Sequence, residues 1–239
     1  MKIFDEVTEK ILSLLPEIAD KAVLYDNKLC AEAGDKNAIL FRSDTAYELG
    51  GSGKASVSCI VFTDLPSMQD EVILYGTDLS KIKEDTPFAH LTFVSLKQKN
   101  DEELTYEQLK NIGFTAFQIY PKGYHIRISP SAAKEQVRVA KSAVDSEKPL
   151  SFMNIGCSLI EEFKKNDDVE AVRTVFITKE DFNYRALSDL AMKAKKITDA
   201  VHSTLQLDEL DCASCKMKPI CDEVEGLREL HFKKEKEKY

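Results

Sequence analysis

The chain has 239 residues, of which 43% are hydrophobic and 31% charged, and its formal net charge is −8. This composition can bury a sizeable core, whereas the acidic balance and the lack of a basic stripe exclude a general nucleic-acid-binding role. No segment approaches the roughly 20 apolar residues needed to cross a bilayer, and the charged N-terminus does not resemble a signal peptide. We therefore predict a cytoplasmic protein with neither a nucleic acid nor a membrane as partner.

The first half of the chain is predicted to contain one helix followed by strands. Apolar residues at helical spacing predict a helix over residues 3–18 that is ended or kinked by Pro16. The glycines of "YELGGSGKASVSCIVF" indicate a turn into a strand, because Glu48 and Ala55 occupy positions where a phosphate-binding Walker loop needs Gly and Ser or Thr. Alternating or β-branched residues predict strands at 57–61, 72–75 and 89–96.

The second half mixes helices with strands. In chain order the sequence predicts a helix over 104–113, a hairpin of 114–120 with 124–128, a helix from Pro130 to about Ala143, a helix beginning near Gly156, a strand over 169–178, and a long helix capped by Thr178. This order of elements, in which strands come first and are followed by a mixture of strands and helices, favours the α+β class with a mixed sheet flanked by helices. We predict an α+β domain over residues 1–205 and a cysteine-bearing C-terminal arm over residues 206–239.

Isolated cysteines and histidines give weak functional signals. His90 and His125 lie in predicted strands, and we interpret them as core or surface residues rather than metal ligands. Cys30, Cys59 and Cys157 stand alone and are interpreted as small buried hydrophobic residues. Cys157 lies just inside a predicted helix N-terminus, where the helix dipole favours a thiolate, so a reactive thiol remains the alternative there.

The strongest signal is the segment "CASCKMKPIC", which places Cys212, Cys215 and Cys221 within ten residues. Two cysteines at C-x2-C spacing can direct their sulfurs at one centre, as in zinc and iron–sulfur sites. Pro219 is expected to break the helix before Cys221, so that the three residues wrap a loop around one point. Three unligated thiols in a flexible tail are the alternative to a metal site.

The fourth ligand and the metal stay open. His231 would complete a zinc site of three cysteines and one histidine, and an external thiol or a small molecule could instead complete a three-thiolate iron–sulfur cluster. Thiolate ligands favour zinc, iron–sulfur clusters and copper(I) over harder metals, but they do not distinguish among these three.

Several motifs in a fixed order resemble the acetyl-CoA synthase subunit of the carbon monoxide dehydrogenase/acetyl-CoA synthase complex. They are the Gly-Gly turn of "YELGGSGKASVSCIVF", "IRIS" at Ile126–Ser129, "NIG" at Asn154–Gly156, "VFIT", a long charged helix and the C-x2-C pair. Together they span residues 44–228. The resemblance is to the middle domain of that family and to the beginning of its cluster-binding segment.

The resemblance implies a [4Fe-4S] cluster, for which Cys212, Cys215 and Cys221 match the first three of four cysteine ligands. The fourth cysteine follows a Gly-Leu pair in the family, and here Arg228 stands in its place. A guanidinium stays protonated and cannot replace a thiolate. The Cys-x-Cys pair that holds nickel in the family would lie beyond Tyr239, and the family's N-terminal domain is also missing. Nickel is therefore not expected to be bound by this chain alone.

We expect an accessory or divergent protein of anaerobic one-carbon metabolism that binds an iron–sulfur cluster. The partners implied are a corrinoid protein or subunits of the carbon monoxide dehydrogenase/acetyl-CoA synthase type. Two other functions remain: a non-enzymatic module with a structural zinc site, made of three cysteines with or without a histidine, and a catalyst whose uncoordinated iron acts as a Lewis acid or electron relay. The sequence leaves enzyme activity open, and an enzyme of this kind would be a CO-methylating acetyl-CoA synthase, which is an acyltransferase.

Overall fold

The structure is a computed structural model that describes residues 2–40, 45–63, 68–97, 109, 111–113, 115, 118–206, 215–224 and 226–227. The α-helices of the described part are α1 (Asp5–Leu14), α2 (Lys141–Val144), α3 (Phe152–Lys164), α4 (Tyr184–Gln206) and α5 (Lys218–Glu223). The strands are β1 (Lys21–Leu24), β2 (Ala46–Leu49), β3 (Ser56–Thr63), β4 (Glu71–Tyr75), β5 (Phe88–Leu96), β6 (Tyr124–Ser129), β7 (Lys134–Ala140) and β8 (Val169–Ile177).

The strands form two sheets, which confirms the predicted α+β class with a mixed sheet flanked by helices. One sheet has five strands in the order β1-β4-β8-β5-β3, and the other has three in the order β2-β7-β6. In the larger sheet, β5 and β8 pair antiparallel, while β3 with β5 and β4 with β8 pair parallel. Every residue of β5 is buried, and six of its nine residues are apolar, as expected for a strand that is covered on both faces.

The smaller sheet packs beside β3 of the larger one. The backbone N–H of Ser58 donates to the carbonyl of Ala133 at 2.8 Å. The Ser56 hydroxyl donates to the carbonyl of Glu135 at 2.6 Å, and the Glu135 N–H donates back to the Ser56 oxygen at 3.1 Å. These bonds place the start of β7 against β3, next to the buried strand β5.

Helices cover the larger sheet. Helix α3 packs on β4 and β8, α4 packs on β3, and α1 and α5 both pack against α4. Within the described part of the chain, none of the helices is both long and apolar enough to cross a membrane.

Several predicted elements are confirmed. Helix α1 ends at Leu14, just before Pro16, and the strands predicted at 57–61, 72–75, 89–96 and 169–178 correspond to β3, β4, β5 and β8. The glycine-rich stretch is a turn, in which Gly50 and Gly53 have φ of 66° and 83°. Only glycine adopts such values readily, and a strand follows the turn rather than the helix of a phosphate-binding loop.

The predicted helix from Pro130 to Ala143 is wrong. A 3-10 turn at Pro130–Ala132 leads into strand β7, and only the short helix α2 follows it. Ala133 adopts a left-handed conformation with φ 47° and ψ 47°, which ends the helical turn. The next residues alternate between exposed and buried positions, as in a strand.

Two smaller predictions also need correction, and one remains open. Strand β6 pairs with β7, a pairing that the sequence did not predict, and its predicted partner at 114–120 lies partly outside the described residues, so that hairpin stays a prediction. Helix α3 begins at Phe152, because Ser151 rather than a residue near Gly156 caps it. Helix α4 begins at Tyr184, where Asn183 accepts a hydrogen bond from the N–H of Ala186 at 3.1 Å, whereas Thr178 bonds to the carbonyl of Thr77. The predicted helix over 104–113 lies mostly outside the described residues, and the division at residue 205 stays a prediction.

Candidate functional site

The cysteine segment is described from Cys215 onward, so Cys212 lies outside the described residues, as do Arg228 and His231. Cys215 lies on the turn before α5 and is half-buried, and Cys221 lies on α5 and is buried. The backbone N–H of Met217 donates to Sγ of Cys215 at 3.4 Å. Hydrogen bonds of this kind to cysteine sulfurs tune the clusters that such sulfurs hold.

Helix α5 is anchored to the body of the protein. Ile220, Val224 and Leu227 are buried in the core. The ammonium group of Lys193 on α4 lies 2.8 Å from a carboxylate oxygen of Glu223 and 3.4 Å from one of Glu6. Cys215 and Cys221 therefore belong to a docked segment.

Pro219 has a different role from the predicted one. It occupies the first turn of α5 and does not break a helix before Cys221. Proline is tolerated there because the first helical N–H groups have no partner within the helix. Cys221 therefore lies on a helix that begins after Cys215, rather than in an open loop.

Thiol chemistry at Cys215 and Cys221 suits a soft metal, because cysteine sulfur is the preferred ligand of zinc and of iron–sulfur clusters. No group of three or more His, Cys, Asp or Glu side chains within the described ranges is arranged to hold a metal ion. That search does not include Cys212, so the three-thiol site stays a prediction.

The isolated cysteines do not form a reactive centre. Cys59 and Cys157 are buried, as predicted, while Cys30 is half-buried. Burial raises the pKa of Cys59 to about 12 and that of Cys30 to about 11. It also raises the pKa of Cys157, so the alternative of a thiolate favoured at the start of α3 is wrong. All three remain thiols at neutral pH.

A second site, which the sequence did not indicate, is a cavity of about 300 Å³ between β3, β5, the β6–β7 hairpin and α4. Its walls include Ile60, Phe62, Ile128 and Ala191, and its polar lining includes the side chains of His90, Thr92, Glu135 and Ser58. Lys195 and Asp199 of α4 form an ion pair at its edge and are 26% and 38% exposed. Cavities of this volume, apolar with a few converging polar groups, are typical of small-molecule sites.

The polar residues of the cavity form a hydrogen-bonded row. His90 Nδ1 lies 2.9 Å from Oε2 of Glu135, and His90 Nε2 lies 3.2 Å from Oγ1 of Thr92. The Ser58 hydroxyl donates to the same Glu135 oxygen at 3.3 Å. The His90 and Glu135 side chains are only 4% and 1% exposed, and the His90 ring stacks on Phe176 with centroids 4.9 Å apart.

Local sequence explains how these side chains meet. His90 and Thr92 are two positions apart on β5, so their side chains point to the same face. The left-handed residue Ala133 ends the turn after β6, and the two hydrogen bonds to Ser56 fix the backbone of Glu135. Glu135 then takes a buried position in the alternating pattern of β7. The period of two in "KEQVRVA" was the signal that could have identified this inward glutamate.

One oxygen of Glu135 lacks a partner. Oε1 is buried and accepts no hydrogen bond in the part of the chain that the structure describes, and the same holds for the hydroxyl of Tyr124. Burial and the nearby charge of Glu135 raise the pKa of Tyr124, so that phenol stays protonated at neutral pH. An unsatisfied buried carboxylate oxygen is unfavourable by about 1–3 kcal/mol or more. Glu135 Oε1 is therefore a buried acceptor that lacks a described partner.

Comparisons with known proteins do not identify the chain. No protein-family model matches it, and no curated protein is significantly similar to it. The resemblance to the acetyl-CoA synthase subunit therefore remains a prediction that depends on the motifs given above.

Proposed function

We propose that this chain is a cytoplasmic protein similar to the middle domain of acetyl-CoA synthase, and that it binds an iron–sulfur cluster through Cys212, Cys215 and Cys221. The observation that carries the proposal is the hydrogen bond from the Met217 N–H to Sγ of Cys215, in a segment docked on the body of the protein. The docking of this segment favours a metal site over unligated thiols in a flexible tail. Ligands on a docked segment lose less conformational freedom when they bind a metal.

A [4Fe-4S] cluster would be held by the three thiolates, with one iron ligated by His231, by an external thiol or by a small molecule. When bound, such a cluster supplies electron transfer or Lewis-acid chemistry. The chain's own residues hold the ligands in place: the Met217 N–H orients the Cys215 sulfur, and Lys193 holds α5 through Glu223. The proposed role is accessory, in anaerobic one-carbon metabolism beside a corrinoid protein or carbon monoxide dehydrogenase/acetyl-CoA synthase subunits.

A structural zinc site is the second candidate, and the burial of Cys221 favours it. Structural zinc sites are closed and tetrahedral, and they contribute directly to folding. Zinc would then hold α5 and the preceding turn on α4, without any catalytic role.

Metal analysis of anaerobically purified full-length protein tests both candidates. About four iron atoms per chain, a brown colour and a paramagnetic signal after reduction support the cluster. One zinc per chain in a colourless protein supports the structural site. A chain that contains neither metal contradicts both.

Three variants assign the ligands. We expect Cys212→Ser and Cys215→Ser each to abolish metal binding, because serine does not supply a thiolate. Cys157→Ser is the matched control and should retain the wild-type metal content, since Cys157 lies buried on α3, away from the cysteine segment in sequence. Equal metal content in all three variants would show that the ligand assignment is wrong.

We also expect the purified chain to form no acetyl-CoA from CO, a methyl donor and CoA. Turnover in that assay would refute the accessory role.

A further inference from the structure

We propose that the cavity between β3, the β6–β7 hairpin and α4 binds one small, neutral and mainly apolar molecule, about the size of an indole derivative. Cys215 and Cys221 do not line this cavity, and its occupation does not depend on the function proposed above.

The walls of the cavity contain large apolar side chains that the protein does not fully cover. Ile60 of β3 and Ile128 of β6 line the cavity and are half-buried, and both pack against the hydrophobic core. Phe62 and Ala191 are buried and extend the apolar lining. A ligand that covers Ile60 and Ile128 removes apolar surface from water, and this burial is favourable in proportion to its area.

The polar side chains on the sheet side of the cavity already have partners within the protein. His90 lies 2.9 Å from Glu135 and 3.2 Å from Thr92. The Ser58 hydroxyl lies 3.3 Å from the same Glu135 oxygen, Oε2. The other oxygen, Oε1, has almost no accessible surface, so a ligand in the cavity does not reach it.

The polar residues of α4 that line the cavity are paired in the same way. Lys195 and Asp199 form an ion pair, and the Thr198 hydroxyl donates to the carbonyl of Ala194 at 3.2 Å. Each charged or titratable side chain among the described lining residues therefore has a partner from the protein itself. A charged ligand would lose its hydration in the cavity without meeting an unpaired group of opposite charge, whereas a neutral ligand avoids that cost.

The volume of the cavity limits the ligand to a small molecule. About 300 Å³ lies at the lower end of the range of small-molecule sites, roughly 300–1,000 Å³. The partly exposed Lys195 and Asp199 mark the side on which the cavity reaches solvent. A compact ring system with a short neutral substituent matches this volume and these walls.

Fluorescence titration of the full chain at pH 7 with three indole derivatives tests the proposal. The chain contains no tryptophan, so indole emission excited beyond the absorption of tyrosine reports the probe alone. Tryptophol is neutral, whereas tryptamine is a cation and indole-3-acetate an anion of similar size. We expect one tryptophol per chain and at least about tenfold weaker binding of both ions, which equals about 1.4 kcal/mol. No saturable binding of tryptophol, or binding of either ion as tight as that of tryptophol, overturns the proposal.

A variant that fills the cavity locates the probe. Ala191→Leu enlarges a buried side chain of the lining and should weaken tryptophol binding at least about tenfold. Ala22→Leu is the matched control, because it makes the same change at an exposed position of β1, at the opposite edge of the larger sheet from β3. It should bind as the wild type does. Unchanged affinity in folded Ala191→Leu places the probe elsewhere and overturns the proposal.

Nuclear Overhauser effects in the wild-type protein decide the question if Ala191→Leu does not fold, as judged by circular dichroism. We expect contacts between the indole protons of tryptophol and the methyl groups of Ile60 and Ile128, which line the cavity. Saturable binding without these contacts overturns the proposal.

Discussion

Replacing His90 with leucine should strongly destabilise the protein. Leucine has a similar volume but cannot donate to Oε2 of Glu135, which His90 Nδ1 approaches at 2.9 Å. Only the Ser58 hydroxyl at 3.3 Å would remain as a described donor to a carboxylate that is 1% exposed. Leaving a buried charged group without its partner costs about 2–5 kcal/mol. For a chain of this size, about 2–4 °C per kcal/mol corresponds to a Tm lower by about 4–20 °C.

The double variant His90→Leu/Glu135→Met tests whether the loss of stability comes from the unpaired Glu135 carboxylate or from the absence of the imidazole itself. Because both polar partners are replaced by apolar groups of similar size, we expect most of the stability to return. Urea and thermal unfolding followed by circular dichroism measure all three proteins. The reasoning is refuted if His90→Leu lies within about 1 kcal/mol of the wild type, or if the double variant is no more stable than the single one.

Three further predictions concern other parts of the molecule. In Gly156→Ala the new Cβ would lie 2.4 Å from a methyl carbon of Val72. The cost of overpacking, about 1–3 kcal/mol, should therefore outweigh a helix-propensity gain of about 1 kcal/mol. Urea unfolding should show a loss of stability, and a gain in stability would contradict the close packing of α3 on β4. Iodoacetamide at pH 8 should modify the half-buried Cys215 before Cys59, because burial raises the pKa of Cys59 to about 12. Peptide mass spectrometry measures the order of labelling, and early labelling of Cys59 would contradict its burial. The Gly76 N–H and then Lys179 lower the pKa of Asp20, so this carboxylate stabilises the fold at neutral pH, begins to lose that effect as the pH falls below about 4, and loses it fully as the pH passes through its lowered pKa. Asp20→Asn should therefore cost less than about 1 kcal/mol at pH 7, given the exposure of the pair, and a smaller amount at pH 3. A loss of equal size at both pH values would rule out the titration of Asp20 as its cause.

The sequence predicted those parts of the fold that have a local signal. Consecutive residues encode the mainly apolar strands β5 and β8 and the end of helix α1 near Pro16. The α+β class follows from the order of the helices and strands along the chain. The error at 130–143 arose because Ser129 and Pro130 are typical of a helix start. Only the left-handed conformation of Ala133, which alanine rarely adopts, turns the chain into β7.

The candidate sites differ in the same way. Cys212, Cys215 and Cys221 are close in sequence, so a motif identifies them without knowledge of the fold. His90 and Glu135 are 45 residues apart, and they meet because the smaller sheet packs beside β3. A pair of this kind has no pattern in a single sequence, and interpreting His90 as a core or surface residue therefore missed its position at a cavity.

Lys193 joins three parts of the chain that are far apart in sequence. Its ammonium group contacts Glu6 near the N-terminus and Glu223 on the cysteine-bearing helix. Helices α1 and α4 precede α5 along the chain, so the surface on which α5 docks is synthesised before Cys215 and Cys221. We therefore expect any inorganic group that needs α5 in its docked position to be inserted only after the residues of this surface have been synthesised.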